Sequence, residues 1–450
     1  MPTWAQQRYA DNEIALMITF NMGTYFPYGF QDPACHDNNW EGLQGSGNPA
    51  SFHPYLLDTD QWGRVFQRLG AKHAVLTVKH GCGFLLWPTK VPLKTVDSFG
   101  KTTASNYTYG VMQPTTFQQD VVQQFVKSMN KYQIGVGFYY SVKNNYFANM
   151  ENHHFKKNAS QALLKGQVNM TLEDYQNMTL EHLKELWTIY GNHHNLTEIW
   201  FDGGYDNATQ TKLAHMLNDY QPNAIVWRGQ GITKSTVAWV GTESGFPKGD
   251  DIWSLGCSDT GGTGDPNSTE WCPKGCDTTL QDRDEWFYVP NITIRSLETM
   301  MQIYHHTVGR NGVLELDVAV DTTGRIRSDH AQRYQEMGDY IQACYGRPLQ
   351  EWTHVNLTTS LIEVPLHEPV LMDRILLRED TWQGGQRVRR YAVYVQVLKE
   401  GNEKDAIEWT LFSQGHSIGN KRIDFYNSTI PKQKEIPKPC LLYTSDAADE

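Results

Sequence analysis

Residues Leu196 to Asp206 read LTEIWFDGGYD. A short run rich in β-forming residues leads to a carboxylate, Asp202, which is followed at once by Gly203 and Gly204. In a parallel α/β protein, reactive side chains gather at the carboxyl ends of the strands, and a glycine pair just beyond lets backbone or ligand approach closely. Asp202 is therefore a candidate nucleophile. Taken alone, an Asp before two glycines makes a turn and nothing more. The pattern on either side gives the carboxylate its meaning.

Upstream, Leu172 to Tyr190 sets Leu180, Leu183, Leu186, Trp187 and Tyr190 at helical spacing, which predicts a helix feeding this strand. The alternation recurs along the chain. EIALMITFNMGTY, Glu13 to Tyr25, reads as a first buried strand, Thr59 to Leu69 as a helix begun after Asp58, and Lys72 to Lys79 as a strand delivering His80, Gly81, Cys82 and Gly83 into a loop. A helix over Thr115 to Tyr132 leads into a strand over Ile134 to Ser141. After Asp206 come a helix near Thr211 to Leu217, a strand near Ala224 to Arg228 and a strand over Val237 to Thr242 that ends in Glu243. A Gly/Asp/Cys-rich loop, Gly256 to Cys276, separates these from a helix over Ile294 to Val308, a strand over Gly312 to Val318 and a last helix over Ser328 to Cys344. About seven or eight strand–helix units, without a GxGxxG phosphate loop, predict an α/β fold: a (β/α)8 TIM-like barrel over residues 1–346.

Beyond Tyr345-Gly346-Arg347-Pro348 the helical period disappears. Strand-like runs at Leu361 to Val364, Val370 to Leu377, Arg390 to Val397 and Trp409 to Phe412 predict a smaller all-β sandwich over 347–439, truncated at its carboxyl end. The ending CLLYTSDAADE, Cys440 to Glu450, resembles an in-frame reading of a sequencing-library adapter, so 440–450 is expected to be foreign to the natural chain.

Composition narrows the function. At 450 residues there is room for a barrel of about 250 to 350 residues and a second module. Aromatics make up 12%, with 14 Trp and 23 Tyr; most pack cores, and the surplus suits the C–H faces of sugar rings. A net charge of −11 with no Lys/Arg cluster argues against a nucleic-acid partner. No apolar run approaches the ~18 residues of a membrane span. Asn-x-Ser/Thr sequons at Asn106, Asn158, Asn169, Asn177, Asn195, Asn207, Asn267, Asn291, Asn356 and Asn427 fit a secreted glycoprotein, extracellular, lysosomal or vacuolar. The opening Met1-Pro2-Thr3-Trp4 has no apolar signal region, so the start is expected to be incomplete or to lack its targeting segment already. Apart from Cys440, six cysteines remain (Cys35, Cys82, Cys257, Cys272, Cys276 and Cys344), an even number that suits disulfides. Cys272 and Cys276 make at most half a zinc site, so a loop disulfide involving one or both is expected.

A retaining glycosidase needs two carboxyl groups about 5 to 5.5 Å apart, one to attack the anomeric carbon and one to protonate the departing oxygen. Asp202 and Glu243 end two strands and would face the same mouth. Glu243 lies in TESGF beside Trp239 and Phe246; apolar neighbours and an ionised Asp nearby would raise its pKa, as a proton donor requires. A solvated loop carboxylate is the plainer account of Glu243.

With these residues in hand, the chain from Trp4 to Pro348 resembles glycoside hydrolase family 29, the retaining exo-acting α-L-fucosidases, especially the plant and bacterial branch that cleaves α-1,3/4-linked fucose. AKHAVLTVKHGCGFLLWP, Ala71 to Pro88, is similar to the family's Lys-His-His-Asp-Gly-Phe-x-Leu-Trp-Pro segment. GVGFYYS (Gly135 to Ser141), EIWFDG, WVGTESG (Trp239 to Gly245) and VGRNGVLELDV resemble further family strands. The resemblance implies Asp202 as nucleophile, Glu243 as acid/base, and His80, Tyr139, Trp200, Trp239 and Asn21 around the sugar, without metal or cofactor. Two departures stand out: Thr19 replaces a first-strand His, and Gly81 replaces the second His of the pair. Each removes a sugar-binding donor, so the pocket is expected to be rebuilt from Asn21, Cys82 or loop residues. The implied partners are fucosylated oligosaccharides or glycoprotein glycans. Alternatives are a barrel glycosidase for a related sugar such as α-L-galactose, and a non-catalytic sugar-binding protein. Neither linkage nor oligomeric state is legible in these residues.

Overall fold

The computed structural model of the chain describes residues 1–25, 47–156, 162–192, 195–258, 261–347, 361–366, 370–397 and 408–426. It opens with a helix that the periodicity does not predict, α1 (Trp4–Asn12), secured by a reciprocal cap: Thr3 Oγ1 accepts from Gln6 N, and the Gln6 side chain accepts from Thr3 N. β1 (Ile14–Thr19) is buried throughout. α2 (Thr59–Leu69) starts on an Asp58 cap, ends at left-handed Gly70 and buries Trp62, Val65, Phe66 and Leu69, the face its spacing predicts. β2 (His73–Lys79) follows, then an unforeseen hairpin, β3 (Pro92–Val96) and β4 (Thr102–Asn106). α3 (Val121–Lys131), capped by Asp120, leads into β5 (Gly135–Tyr140). Beyond the short β6 (Met150–Glu151) and β7 (His154–Phe155), α4 (Leu172–Glu185) runs through a wider turn to Tyr190 before β8 (Leu196–Trp200).

α5 (Gln210–Tyr220), β9 (Ile225–Trp227) and β10 (Thr236–Trp239) come next. β11 (Lys274–Thr278) overlaps the end of the stretch that composition assigns to loop. α6 (Leu297–Thr307), β12 (Val313–Ala319) and α7 (Ser328–Tyr345) complete this part. Eight parallel strands close in the order β1-β12-β11-β10-β9-β8-β5-β2. Among the described residues no helix separates β9 from β10 or β10 from β11, so the repeat is less regular than expected.

Alternate residues of each strand fill the interior in layers. Ala15, Met17, Val75, Tyr139, Trp200, Ile225, Trp227, Val237 and Val313 form one apolar cluster. Trp227 fits because position 275 is glycine: a Cβ there would fall 1.9 Å from the indole. The floor beneath is polar. His73, Glu198 and Glu315 are fully buried, with ligand-type atoms within 4.8 Å of one another. His73 Nε2 lies 2.9 Å from Glu198 Oε2, Asn12 Nδ2 2.8 Å from His73 Nδ1, and the Tyr9 hydroxyl donates to Glu315 Oε1 at 2.5 Å. Burial pushes Glu198 up to about 8 and Glu315 well above the carboxylate range, and it pushes His73 down to about 4. Burial thus favours a neutral imidazole beside carboxyl groups that hold their protons more tightly than usual.

The remaining described strands form an all-β module of two antiparallel pairs: β13 (Arg374–Leu377) with β16 (Arg422–Phe425), and β14 (Tyr391–Val397) with β15 (Glu408–Gly415). Between β13 and β14 lies the short helix α8 (Thr381–Gly384). Leu361 to Val364, expected as strand, is irregular. The module grips the barrel's underside. Ile423 N donates to Gly309 O at 2.9 Å, Lys421 Nζ pairs with Glu13 at 2.8 Å, and Arg378 pairs with Asp11 at 3.3 Å.

Cys257 and Cys272 form a disulfide in the β10–β11 connection, Cys82 and Cys344 each belong to a separate further disulfide, and Cys276 is free and buried on β11. Cys35, the tail 440–450 and the sequons at Asn158, Asn356 and Asn427 lie outside the described residues. Asn106, Asn177, Asn195, Asn207, Asn267 and Asn291 are exposed. Among the described residues no helix is long and apolar enough to cross a membrane.

Candidate active site

At the carboxyl ends of the barrel strands, the register brings Tyr139, Trp200 and Trp227 side by side on β5, β8 and β9. The indoles of Trp200 and Trp227 stack at 3.7 Å between centroids, giving the mouth an apolar base. Asp202 follows two residues after Trp200, just past the strand, so it rises from the same face. Its Oδ2 accepts from the Tyr139 hydroxyl at 3.0 Å, and its Oδ1 lies 3.7 Å from Lys143 Nζ. Tyr139 in turn stacks on His80 at 5.5 Å, and Phe287 meets His80 edge-on at 5.0 Å.

Glu243 sits four residues beyond the last residue of β10, on the loop and not at the strand terminus expected for it. Trp286 Nε1 donates to its Oε2 at 3.2 Å. Burial raises the Glu243 pKa, and the charges of Asp202 and Asp284 raise it further, while the Trp286 bond and Lys143 oppose. Trp239 Nε1 donates to Asp277 Oδ1 at 2.6 Å, and burial, then the charge of Glu243, raises the Asp277 pKa well above its usual range. The mouth therefore combines a hydrogen-bonded carboxylate, a second carboxyl whose pKa burial raises, and four indoles. That is equipment for acid-assisted displacement at a carbon held against apolar faces.

Asp202, Tyr139, His80, Trp200 and Trp239 thus gather near one opening, with Glu243. Asn21 does not join them as an open donor. It is fully buried, its Nδ2 donates to Thr77 O at 3.2 Å and Phe84 O at 3.3 Å, and its Oδ1 accepts from Met22 N. Its amide thereby ties the ends of β1 and β2 together. Thr19, on the strand that carries a His in the family, donates to buried Asp317 instead of facing the opening as a free donor. Sequence reasoning missed Lys143, Trp227, Trp286 and Asp277. For Trp227 the strand register held the signal; Trp286 and Lys143 come from loops, where no periodicity marks a side chain.

Comparison with known proteins places these residues in context. Residues 5–346 match the family model described as Alpha-L-fucosidase. α-L-Fucosidase 1 of Arabidopsis thaliana is 25% identical over 375 residues, covering 79% of this chain and 63% of its own length. The chain spans about three fifths of the length of the curated plant relatives it matches. A crystal structure from Bacteroides thetaiotaomicron superposes with a TM-score of 0.75 at 25% identity, over 94% of this chain and 92% of that one. A GH29 fucosidase of Ruminococcus gnavus, solved in complex with fucose, shares the fold with a TM-score of 0.70 at 18% identity, over 94% and 88% of the two chains.

Proposed function

The chain belongs to the α-L-fucosidase family, glycoside hydrolase family 29, and from that premise we propose that it is a retaining exo-glycosidase hydrolysing terminal α-L-fucosyl residues from oligosaccharides or glycoprotein glycans. Asp202 attacks the anomeric carbon while Glu243 gives its proton to the departing oxygen. Glu243 then takes a proton from water, whose oxygen displaces Asp202 and releases the sugar with its configuration retained. The observation that carries this reading is the unequal treatment of the pair. Asp202 is met by the Tyr139 hydroxyl and the Lys143 ammonium, and burial together with the charge of Asp202 raises the pKa of Glu243 against the opposing Trp286 bond. An acid whose pKa its surroundings raise, beside a carboxylate open to the mouth, is what donor and nucleophile need.

His80, Tyr139, Trp200 and Trp239 form the walls for the sugar, and the Trp200–Trp227 stack supplies its apolar floor. The exposed sequons and the disulfides support a glycosylated protein of an extracellular, lysosomal or vacuolar compartment. The test is an aryl α-L-fucoside with the product followed by NMR: an initial α-fucose signal supports retention, and an initial β signal refutes it. Azide restoring turnover to Asp202→Gly as the inverted glycosyl azide would identify the nucleophile.

The engagement of Thr19 with Asp317 and the glycine at position 81 favour one further reading, a related sugar such as α-L-galactose in place of fucose. A panel of aryl glycosides separates the two. Binding of fucose with no hydrolysis would instead mark a sugar-binding protein.

A further inference from the structure

Lys143 belongs to no motif that the sequence singles out. It lies three residues past the end of β5, its backbone oxygen accepts from His153 N at 3.0 Å, and its side chain crosses Gly203 to reach Asp202. The path depends on that glycine: a Cβ at position 203 would fall 2.2 Å from Lys143 Cδ and 2.6 Å from Nζ. Gly203 also adopts φ +70°, which glycine takes without strain. The two oxygens of Asp202 are thus dressed unequally, Oδ2 by a neutral phenol and Oδ1 by an ammonium that is only about a quarter exposed.

Resting on the double-displacement reading above, we infer that Lys143 is a catalytic group of the second step, where its ammonium stabilises the carboxylate that Asp202 becomes again as the glycosyl-enzyme breaks down. In the first step the Asp202 oxygen forms a bond to the anomeric carbon, the bond to the departing oxygen breaks, and that oxygen takes the Glu243 proton. The negative charge of Asp202 is consumed, and the ammonium loses its partner. In the second step a water oxygen bonds to the anomeric carbon, a water proton passes to Glu243, and the electron pair of the carbon–Asp202 bond returns to the carboxylate beside Lys143. A cation at this place stabilises free enzyme and the second transition state more than it stabilises the ester. It therefore hastens release and does nothing for, or slightly opposes, formation of the intermediate. Removal of Lys143 has a kinetic mark that a merely structural residue lacks.

The experiment compares wild type, Lys143→Met and Lys143→Arg on a nitrophenyl α-L-fucoside, in the steady state and by rapid mixing. For Lys143→Met, kcat is expected to fall about fivefold with KM falling beside it, which leaves kcat/KM unchanged or raised. A burst of nitrophenol stoichiometric with enzyme should appear, and mass spectrometry should find the fucosyl group on Asp202. Lys143→Arg, which keeps a cation over the same glycine, should recover most of kcat. Equal kcat and KM in Lys143→Met and wild type would overturn the inference while leaving the proposed function standing, as would a loss confined to kcat/KM without a burst. A wild type that hydrolyses no aryl fucoside would overturn the functional reading itself, and this step with it.

Discussion

One strand of the barrel carries two acids with opposite fates. Glu198, in the middle of β8, is fully buried and held against His73 and Glu315, and burial pushes its pKa up to about 8. Asp202, just past the end of the same strand, has a side chain 47% exposed and is met by a phenol and an ammonium. Neither residue type nor strand differs enough to explain this. Access to water and the sign of the neighbouring charge do: in the closed floor the cheapest neutraliser of a carboxylate is a proton, and at the open rim it is solvent and a cation. The rim therefore leaves its acid open to water and a cation, and the floor turns its polar groups toward one another.

The comparison breaks first if the rim and the floor respond alike to mutation. Asp202→Gly should lower kcat/KM by roughly four orders of magnitude, with an unchanged denaturant midpoint. Glu243→Gln should cost about 10²- to 10⁴-fold for a substrate with a poor leaving group, less when the leaving group needs no proton, so two aryl fucosides of different acidity check it. Glu198→Ala, by contrast, should remove about 3 kcal/mol of stability by breaking a buried pair, read from urea melts. Turnover of the remaining folded enzyme should hold near wild type.

The comparison sharpens with pH. Glu198 binds its proton more tightly folded than unfolded, so the stability it contributes is full below its ordinary value of 4.5 and is lost as pH rises through about 8. His73 works in the other direction: its contribution is full above its ordinary 6.5 and is lost as pH falls through about 4. Melting temperature should decline on both sides of this window, and Glu198→Gln should flatten the alkaline side. A smaller effect belongs to the rim. Because the Trp286 indole bonds the Glu243 carboxylate and opposes the rise caused by burial, Trp286→Phe should shift the alkaline limb of kcat/KM upward in pH.

Much of the barrel is written locally. α2 is found at Thr59–Leu69 because an Asp cap, a helical apolar stripe and a terminal glycine agree. β2, β5, β8 and β12 are dense in β-formers, with polar or glycine residues just beyond. β11 hides because KGCDT contains no large apolar residue; its interior positions are a glycine that admits Trp227 and an acid that holds Trp239, so tertiary context alone makes it a strand. α1 hides because WAQQRYADN is polar, although the Thr3–Gln6 cap was there to be read. At the site, the strand-borne residues were legible from alternation and from likeness to a family. Lys143 and Trp286 were not, since a loop side chain is aimed by contacts from elsewhere, and Asn21 was misjudged because its neighbours consume its amide.

α1 also sits between the barrel floor and the β module. Above, Tyr9 and Asn12 engage Glu315 and His73; below, Gln7 bonds Thr381 and Asn420, and Ala10 O accepts from Asn420. The helix works as a stopper, and the β module is the wire that holds it in the neck. Releasing the wire by trimming the module would let the stopper loosen and solvent seep under the cylinder. Once wetted, two carboxylic acids would revert to ordinary acidity and repel each other from inside the barrel wall. The β module would thereby govern how dry, and so how durable, the barrel stays.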